Sequence, residues 1–136
     1  MGLGVERMKG PTQRTLAELK KRGCVYQVTE HWNPFARRRV DLFGVIDVLA
    51  IDGGRIIGIQ TTSGDNHSKR IDKAREEPRL IAWLLAGGRF EVWSWAKRGA
   101  RGKRKLWTLR RTEALLIEGI FGTIEKSEHL QPAEPA

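Results

Sequence analysis

The chain has one cysteine, Cys24, among 136 residues. A single thiol excludes an internal disulfide framework and any zinc site built on several cysteines, and its expected place is the core. His31 and His67 lack metal-ligand spacing with each other and are expected at the surface or at the rim of a site. No apolar run reaches the length that crosses a bilayer, and no signal-peptide pattern opens the chain. No basic amphipathic helix with a strong apolar face is visible either, so an intracellular protein off the membrane is expected. Acidic residues are in deficit: 16 Asp and Glu stand against 25 Lys and Arg, a net charge of +9. That balance suits a polyanionic partner, nucleic acid first.

What the chain does contain is a carboxylate in an apolar setting. Asp47 sits inside Leu42-Phe43-Gly44-Val45-Ile46-Asp47-Val48-Leu49-Ala50, a short β-branched run that reads as one strand covered on both faces. Burying a carboxylate there is costly unless it is paired or binds a metal. Asp52-Gly53-Gly54-Arg55 then gives a two-residue hairpin signal, followed by Ile56-Ile57-Gly58-Ile59-Gln60. If Gly53-Gly54 form the loop, Asp47 faces Gln60; if Asp52-Gly53 form it, the two still share a face. Thr62 joins them by the period of two. The spacing alone fits either a buried Asp held by Gln and Thr as polar glue or a functional site.

The remaining pattern is one α/β domain over residues 11–124, with a flexible N-terminus at 1–10 and a disordered, Pro- and acid-containing tail at 125–136. A helix is expected over Pro11–Arg22, closed by Gly23, then a strand over Cys24–Thr29. Residues 30–40 are expected as a loop carrying Arg37, Arg38 and Arg39. A helix over 66–77 should break at Pro78 and resume through Leu85. Arg89–Ala96 alternate as a strand, Lys97–Lys105 form a basic tip with Lys97, Arg98, Arg101, Lys103 and Arg104, and Leu106–Leu109 return as a strand. Thr112 is expected to cap a final helix through Ile120. The order α-β-β-β-α-β-β-α implies a mixed central sheet flanked by helices. Trp32, Trp93, Trp95 and Trp107 could stack on bases, although the last three fit a core or dimer interface better.

Phosphodiester hydrolysis needs a divalent cation, a water and neutralisation of charge at phosphate. Asp47 offers the carboxylate, Gln60 an amide oxygen, and the Thr61 carbonyl lies between Gln60 and Thr62. Asp41 precedes Asp47 by six residues and shares its face in a regular strand, about 20 Å away. Only a bulge near Gly44 or a bend brings it closer; pairing with Arg37 or Arg39 is its other reading.

Helix, strand, Gly44-Val45-Ile46-Asp47, hairpin, Gln60-Thr61-Thr62, helix and strand resemble the core of the PD-(D/E)xK nucleases. Lys21-Arg22-Gly23 before a strand, Asp47-Val48-Leu49-Ala50 and the Asp-to-Gln spacing bring the chain nearest to archaeal-type Holliday junction resolving enzymes and their phage relatives, over residues 12–111. The resemblance implies a restriction-endonuclease-like core and a homodimer in the cytoplasm of a prokaryotic or phage-infected cell. It also implies symmetric nicking of four-way DNA junctions with Mg²⁺ or Mn²⁺.

Three positions depart from the family pattern. Gln60 stands where an acid is usual, Thr62 where a lysine is, and the helix glutamate falls near Thr12. Asp47, Gln60, Thr61 and Asp41 are therefore the expected metal ligands. Glu30 is the alternative to the missing glutamate, and Thr62 occupies the catalytic lysine position. Lys69 is the first candidate to replace that lysine, with Lys73 on the same helix face. Lys69, Arg70 and Lys73 join the arginine triplet and the basic tip as expected DNA contacts. A fold that has lost chemistry and only binds DNA, and a restriction- or repair-type nuclease acting on duplex or flaps, are the alternatives.

Overall fold

A computed structural model describes residues 10–126. Helix α1 (Pro11–Lys21) begins with proline, whose missing N–H is no loss at a helix start. It stops at Gly23, where φ is +76° and the amides of Gly23 and Cys24 return to the Lys20 and Leu19 carbonyls. Five strands follow: β1 (Val25–Val28), β2 (His31–Asn33), β3 (Arg38–Val40), β4 (Val48–Asp52) and β5 (Arg55–Ser63). A 3₁₀ turn at Gly64–Asn66 leads into α2 (His67–Arg75), and α3 (Pro78–Leu85) begins at the expected proline break, where the Glu77 side chain accepts from the Arg79 amide. Strands β6 (Arg89–Arg98), β7 (Leu106–Ile117) and β8 (Ile120–Glu125) complete the fold.

The architecture is α/β, with a mixed six-stranded sheet flanked by helices and compatible with a restriction-endonuclease-like core. Its order is β1-β4-β5-β6-β7-β8; β5 and β6 run parallel and every other neighbouring pair is antiparallel. Strands β2 and β3 form a separate small hairpin. One face of the large sheet packs Leu19 of α1 against Val48, Ala50, Ile57, Ile59, Trp93, Trp95 and Leu109. The other packs Ala74 and Leu80 of α2 and α3 against Val45, Ile46, Phe90, Val92 and Ala114. Each large apolar side chain withdrawn in this way stabilises the fold by about 1.5–3 kcal/mol before entropy is counted. Trp93 and Trp95 are core residues, as their alternation suggested.

The structure corrects three readings. Leu42–Ile46 is not strand: Phe43 and Gly44 adopt φ of +52° and +76°, and the chain folds into a tight turn closed by Leu42 and Ile46. Residues 30–40 are a hairpin rather than a loop. Residues 112–120 are not a helix. They continue β7 into β8 through Glu118 and Gly119, whose φ values of +51° and +77° suit a two-residue hairpin turn. The four apolar residues Ala114–Ile117 pair with β8 as strand, Ala114 also with β6, where no helical period operates. Strand β8 also carries the fold to Glu125, one residue past the expected boundary. The expected flexible start and tail otherwise lie at 1–9 and 127–136, outside the described residues.

Candidate metal centre and nucleic-acid interface

The hairpin register is the one that Gly53-Gly54 dictates. Asp52 pairs with Arg55 and Val48 with Ile59, which sets Asp47 opposite Gln60 at the end of the ladder. Both side chains are buried, at 4% and 2% exposure. Gln60 Nε2 donates to Asp47 Oδ2 at 2.7 Å, and the Thr61 amide donates to the same oxygen at 2.9 Å. Thr61 thus turns its N–H to the carboxylate. Its hydroxyl faces the opposite side, 2.8 Å from the Thr15 hydroxyl, which in turn accepts from Trp95 Nε1. Thr15 went unnoticed in the sequence, where a threonine in a polar helix carries no signal.

Two loops bring further carboxylates. The Asp47 carbonyl accepts from the amides of Thr29 and Glu30, and Thr29 Oγ1 donates to the Ile46 carbonyl. These bonds clamp Glu30 beside Asp47. On the other side, the turn at Phe43-Gly44 reverses the chain, with the Gly44 amide bonded to the Asp41 carbonyl. Asp41 is therefore not about 20 Å away but next to Asp47, the bend having replaced the regular strand. Gln60 Nε2 makes a second, longer contact of 3.4 Å to Asp41 Oδ2. One carboxylate oxygen each from Glu30, Asp41 and Asp47 lies within 4.8 Å of the other two, a spacing that can hold a metal ion.

The electrostatics bear on that possibility. The Asp47 pKa is pushed up to about 8, first by burial and then by the neighbouring Asp41 carboxylate; the Thr61 amide and Gln60 oppose the rise. Two buried oxygens, Asp47 Oδ1 and Gln60 Oε1, have no hydrogen-bond partner among the described residues. Buried acceptors are normally satisfied, and two unsatisfied ones on facing side chains suit a hard cation that takes oxygen ligands. Gln60 is neutral and Thr61 offers only backbone, so charge in the cluster comes from its carboxylates, Asp47 contributing once its proton is displaced.

Cations border the cluster. Lys73 Nζ is 3.8 Å from Asp41 Oδ2; Lys69, one turn earlier on α2, is exposed as Lys73 is but makes no such ion pair among the described residues. Arg70 keeps a buried Nε without a hydrogen-bond partner among the described residues. Asp41 pairs with this lysine rather than with Arg37 or Arg39, and Arg39 instead holds Glu30. Thr62 is buried on the Asp47–Gln60 face, in register with Ser94. Glu18, in the first helix, is occupied by Arg22.

Besides Lys69, Arg70 and Lys73 on α2, the expected DNA contacts fall in two exposed groups. Arg37, Arg38 and Arg39 lie on the β2–β3 hairpin; Lys97, Arg98, Arg101, Lys103 and Arg104 lie at the β6–β7 tip. Thr62 pairs with Ser94, and β6 continues four residues further, so the tip leaves the sheet at the end where the carboxylates sit. The β2–β3 hairpin leaves from the same end, after β1. Trp107 is half-buried beneath the Arg14 guanidinium, 3.7 Å from the ring centre.

His67 is not a rim residue. It is 1% exposed, with its ring nitrogens 2.6 Å from Ser94 Oγ and 2.7 Å from Thr112 Oγ1, and burial lowers its pKa to about 4. Among the described residues no helix is long and apolar enough to cross a membrane. Comparison with protein-family models, curated proteins and solved structures finds no match, so the chemistry open to this site follows from its own atoms.

Proposed function

We propose that the protein is a metal-dependent, structure-selective DNA endonuclease that resolves four-way junctions by paired nicks, acting as a homodimer with Mg²⁺ or Mn²⁺. One observation carries this reading: three carboxylates converge beside two buried, unpartnered oxygen acceptors, at the sheet end from which both basic excursions project. Asp47, Asp41 and Glu30 hold the cation, with Gln60 adding its amide oxygen. When bound, the cation supplies Lewis acidity and a water of lowered pKa.

The protein's own groups do the rest. Arg37, Arg38 and the β6–β7 tip hold the phosphate backbone, and the Thr61 amide and Gln60 fix the orientation of Asp47. Lys73 neutralises charge developing at the phosphate in place of the lysine that Thr62 replaces.

A second reading, a nuclease fold that binds DNA without cutting it, is favoured by Thr62, which puts no cation at its position. Incubation with a labelled four-way junction and a matched linear duplex, with Mg²⁺, Mn²⁺ or EDTA and beside Asp47→Ala, separates the two. Symmetric nicks in the junction alone, abolished by EDTA and by the substitution, are expected. Tight junction binding without a nick under any metal establishes the binding module, and equal cutting of the duplex points to a general nuclease.

A further inference from the structure

Glu30 and Asp41 are the two ends of one excursion. Between them the chain leaves the main sheet, forms β2 and β3, and returns. The tip of this hairpin is held in one shape: Asn33 Oδ1 accepts from the amides of Phe35 and Ala36, Pro34 restricts the backbone, and Arg37 turns the chain at φ +53°. On this fixed tip Phe35 is 98% exposed. Trp32, nearer the carboxylates, is 55% exposed and lies directly across the strands from Arg39.

A large apolar ring held rigidly in solvent has no structural purpose in the monomer, and two on one short hairpin form a presented surface. The charge around them selects the occupant. Arg37, Arg38 and Arg39 share the hairpin with the rings, so a second copy of this basic chain meets like charge there, whereas a polynucleotide meets complementary charge. Flat rings among guanidiniums match bases that have lost a stacking partner, with phosphates on either side. At about 3.3 Å per residue, the tip reaches roughly 15 Å from the carboxylates, a distance within one branch point.

We propose that the β2–β3 hairpin is a stacking wedge: Phe35 and Trp32 take up unstacked bases at a branch or break in DNA and so select distorted substrates over continuous duplex. The inference rests on the DNA reading above and extends it to how the substrate is chosen. Both ends of the wedge carry metal-site carboxylates, so engagement of the bases sets the strand beside Asp47.

The test measures binding, not cleavage. Four-way junction and matched duplex, with 2-aminopurine at the branch or its duplex equivalent, are titrated in EDTA with the full-length protein. Wild type is compared with Phe35→Ala, Trp32→Ala, the double variant and Phe35→Trp. The rings are exposed, so the variants are expected to melt with wild-type cooperativity. Wild type should brighten the branch-point probe and prefer the junction. The double variant should lose the brightening and about tenfold or more of junction affinity, with duplex affinity within about twofold, and Phe35→Trp should retain both effects. An unchanged junction preference in the double variant overturns the wedge. So does an equal loss on both DNAs, or a loss of self-association in its place. If wild type binds neither DNA, the DNA reading and the wedge fall together.

Discussion

Lys73 Nζ stands 3.8 Å from Asp41 Oδ2, and this places an ammonium at the edge of a carboxylate cluster whose neighbouring strand position, Thr62, is neutral. Lys69 shares the helix one turn away but makes no ion pair with the cluster among the described residues. Lys73→Ala is therefore expected to lower the junction cleavage rate by about 10²-fold or more, as removal of one charge-stabilising group does. Lys69→Ala should change it by less than about threefold. Single-turnover rates at saturating enzyme check this, and equal losses in the two variants would remove Lys73 from the site.

The raised pKa of Asp47 has two consequences, both with a worked sign. In the folded chain Asp47 keeps its proton up to about pH 8, whereas the unfolded side chain ionises near 3.8. The folded state thus binds more protons between those values, and stability falls as pH rises through them. Asp47→Asn removes the penalty, so the variant should exceed wild type in stability by roughly 3–5 kcal/mol at pH 9 and by much less at pH 5. Urea unfolding in EDTA measures it. A cation must also displace that proton, so Mn²⁺ affinity should climb about tenfold per pH unit up to about pH 8 and be lost in the variant, by calorimetry.

His67 sets the acid limb. Its folded pKa of about 4 lies below the ordinary 6.5, so the unfolded chain binds the extra proton and stability falls as pH drops from 6.5 toward 4. The effect is about 3 kcal/mol. His67→Gln should flatten the pH dependence across that window even though it lowers stability at pH 7. A variant as acid-sensitive as wild type would show that the histidine is charged in the fold.

The pair between Arg111 and Glu91 lies inside the sheet's α1 face, with Nε 2.8 Å from Oε1 and Trp93 Nε1 donating to the same oxygen. Arg111→Met strands the Glu91 charge and should destabilise the fold by about 3–5 kcal/mol. Pairing it with Glu91→Gln should recover most of that loss. Chemical denaturation of the single and double variants reads the coupling directly.

The sequence revealed Asp47 and Gln60 because a two-residue hairpin leaves little freedom in register: once Gly53-Gly54 turn the chain, period-two geometry sets the partners. It names Asp41, on condition of a bend near Gly44, and Glu30, as the alternative to the missing glutamate, but its periodicity positions neither. Each reaches the site through a change of chain direction, at Phe43-Gly44 and at Thr29, that no periodicity encodes. The signal was the glycine itself, in a run otherwise free of turn residues. Residues 112–120 were misread for the opposite reason. A short run of consecutive apolar residues reads as strand or helix alike, and only Glu118-Gly119 marks the reversal. His67 looked like a surface residue because its partners, Ser94 and Thr112, come from strands 27 and 45 positions away.

Because Glu30 and Asp41 are both anchored by backbone bonds below the hairpin, to Asp47 and to the 42–46 turn, the segment between them is mechanically separable from the chemistry. It behaves as an interchangeable head on a fixed handle. Residues 32–38 can be shortened, lengthened or exchanged for another turn without moving a carboxylate, as long as Arg39 is kept on Glu30, so substrate preference and catalytic power can change independently in this fold. A protein engineer could retarget it by grafting at two points alone.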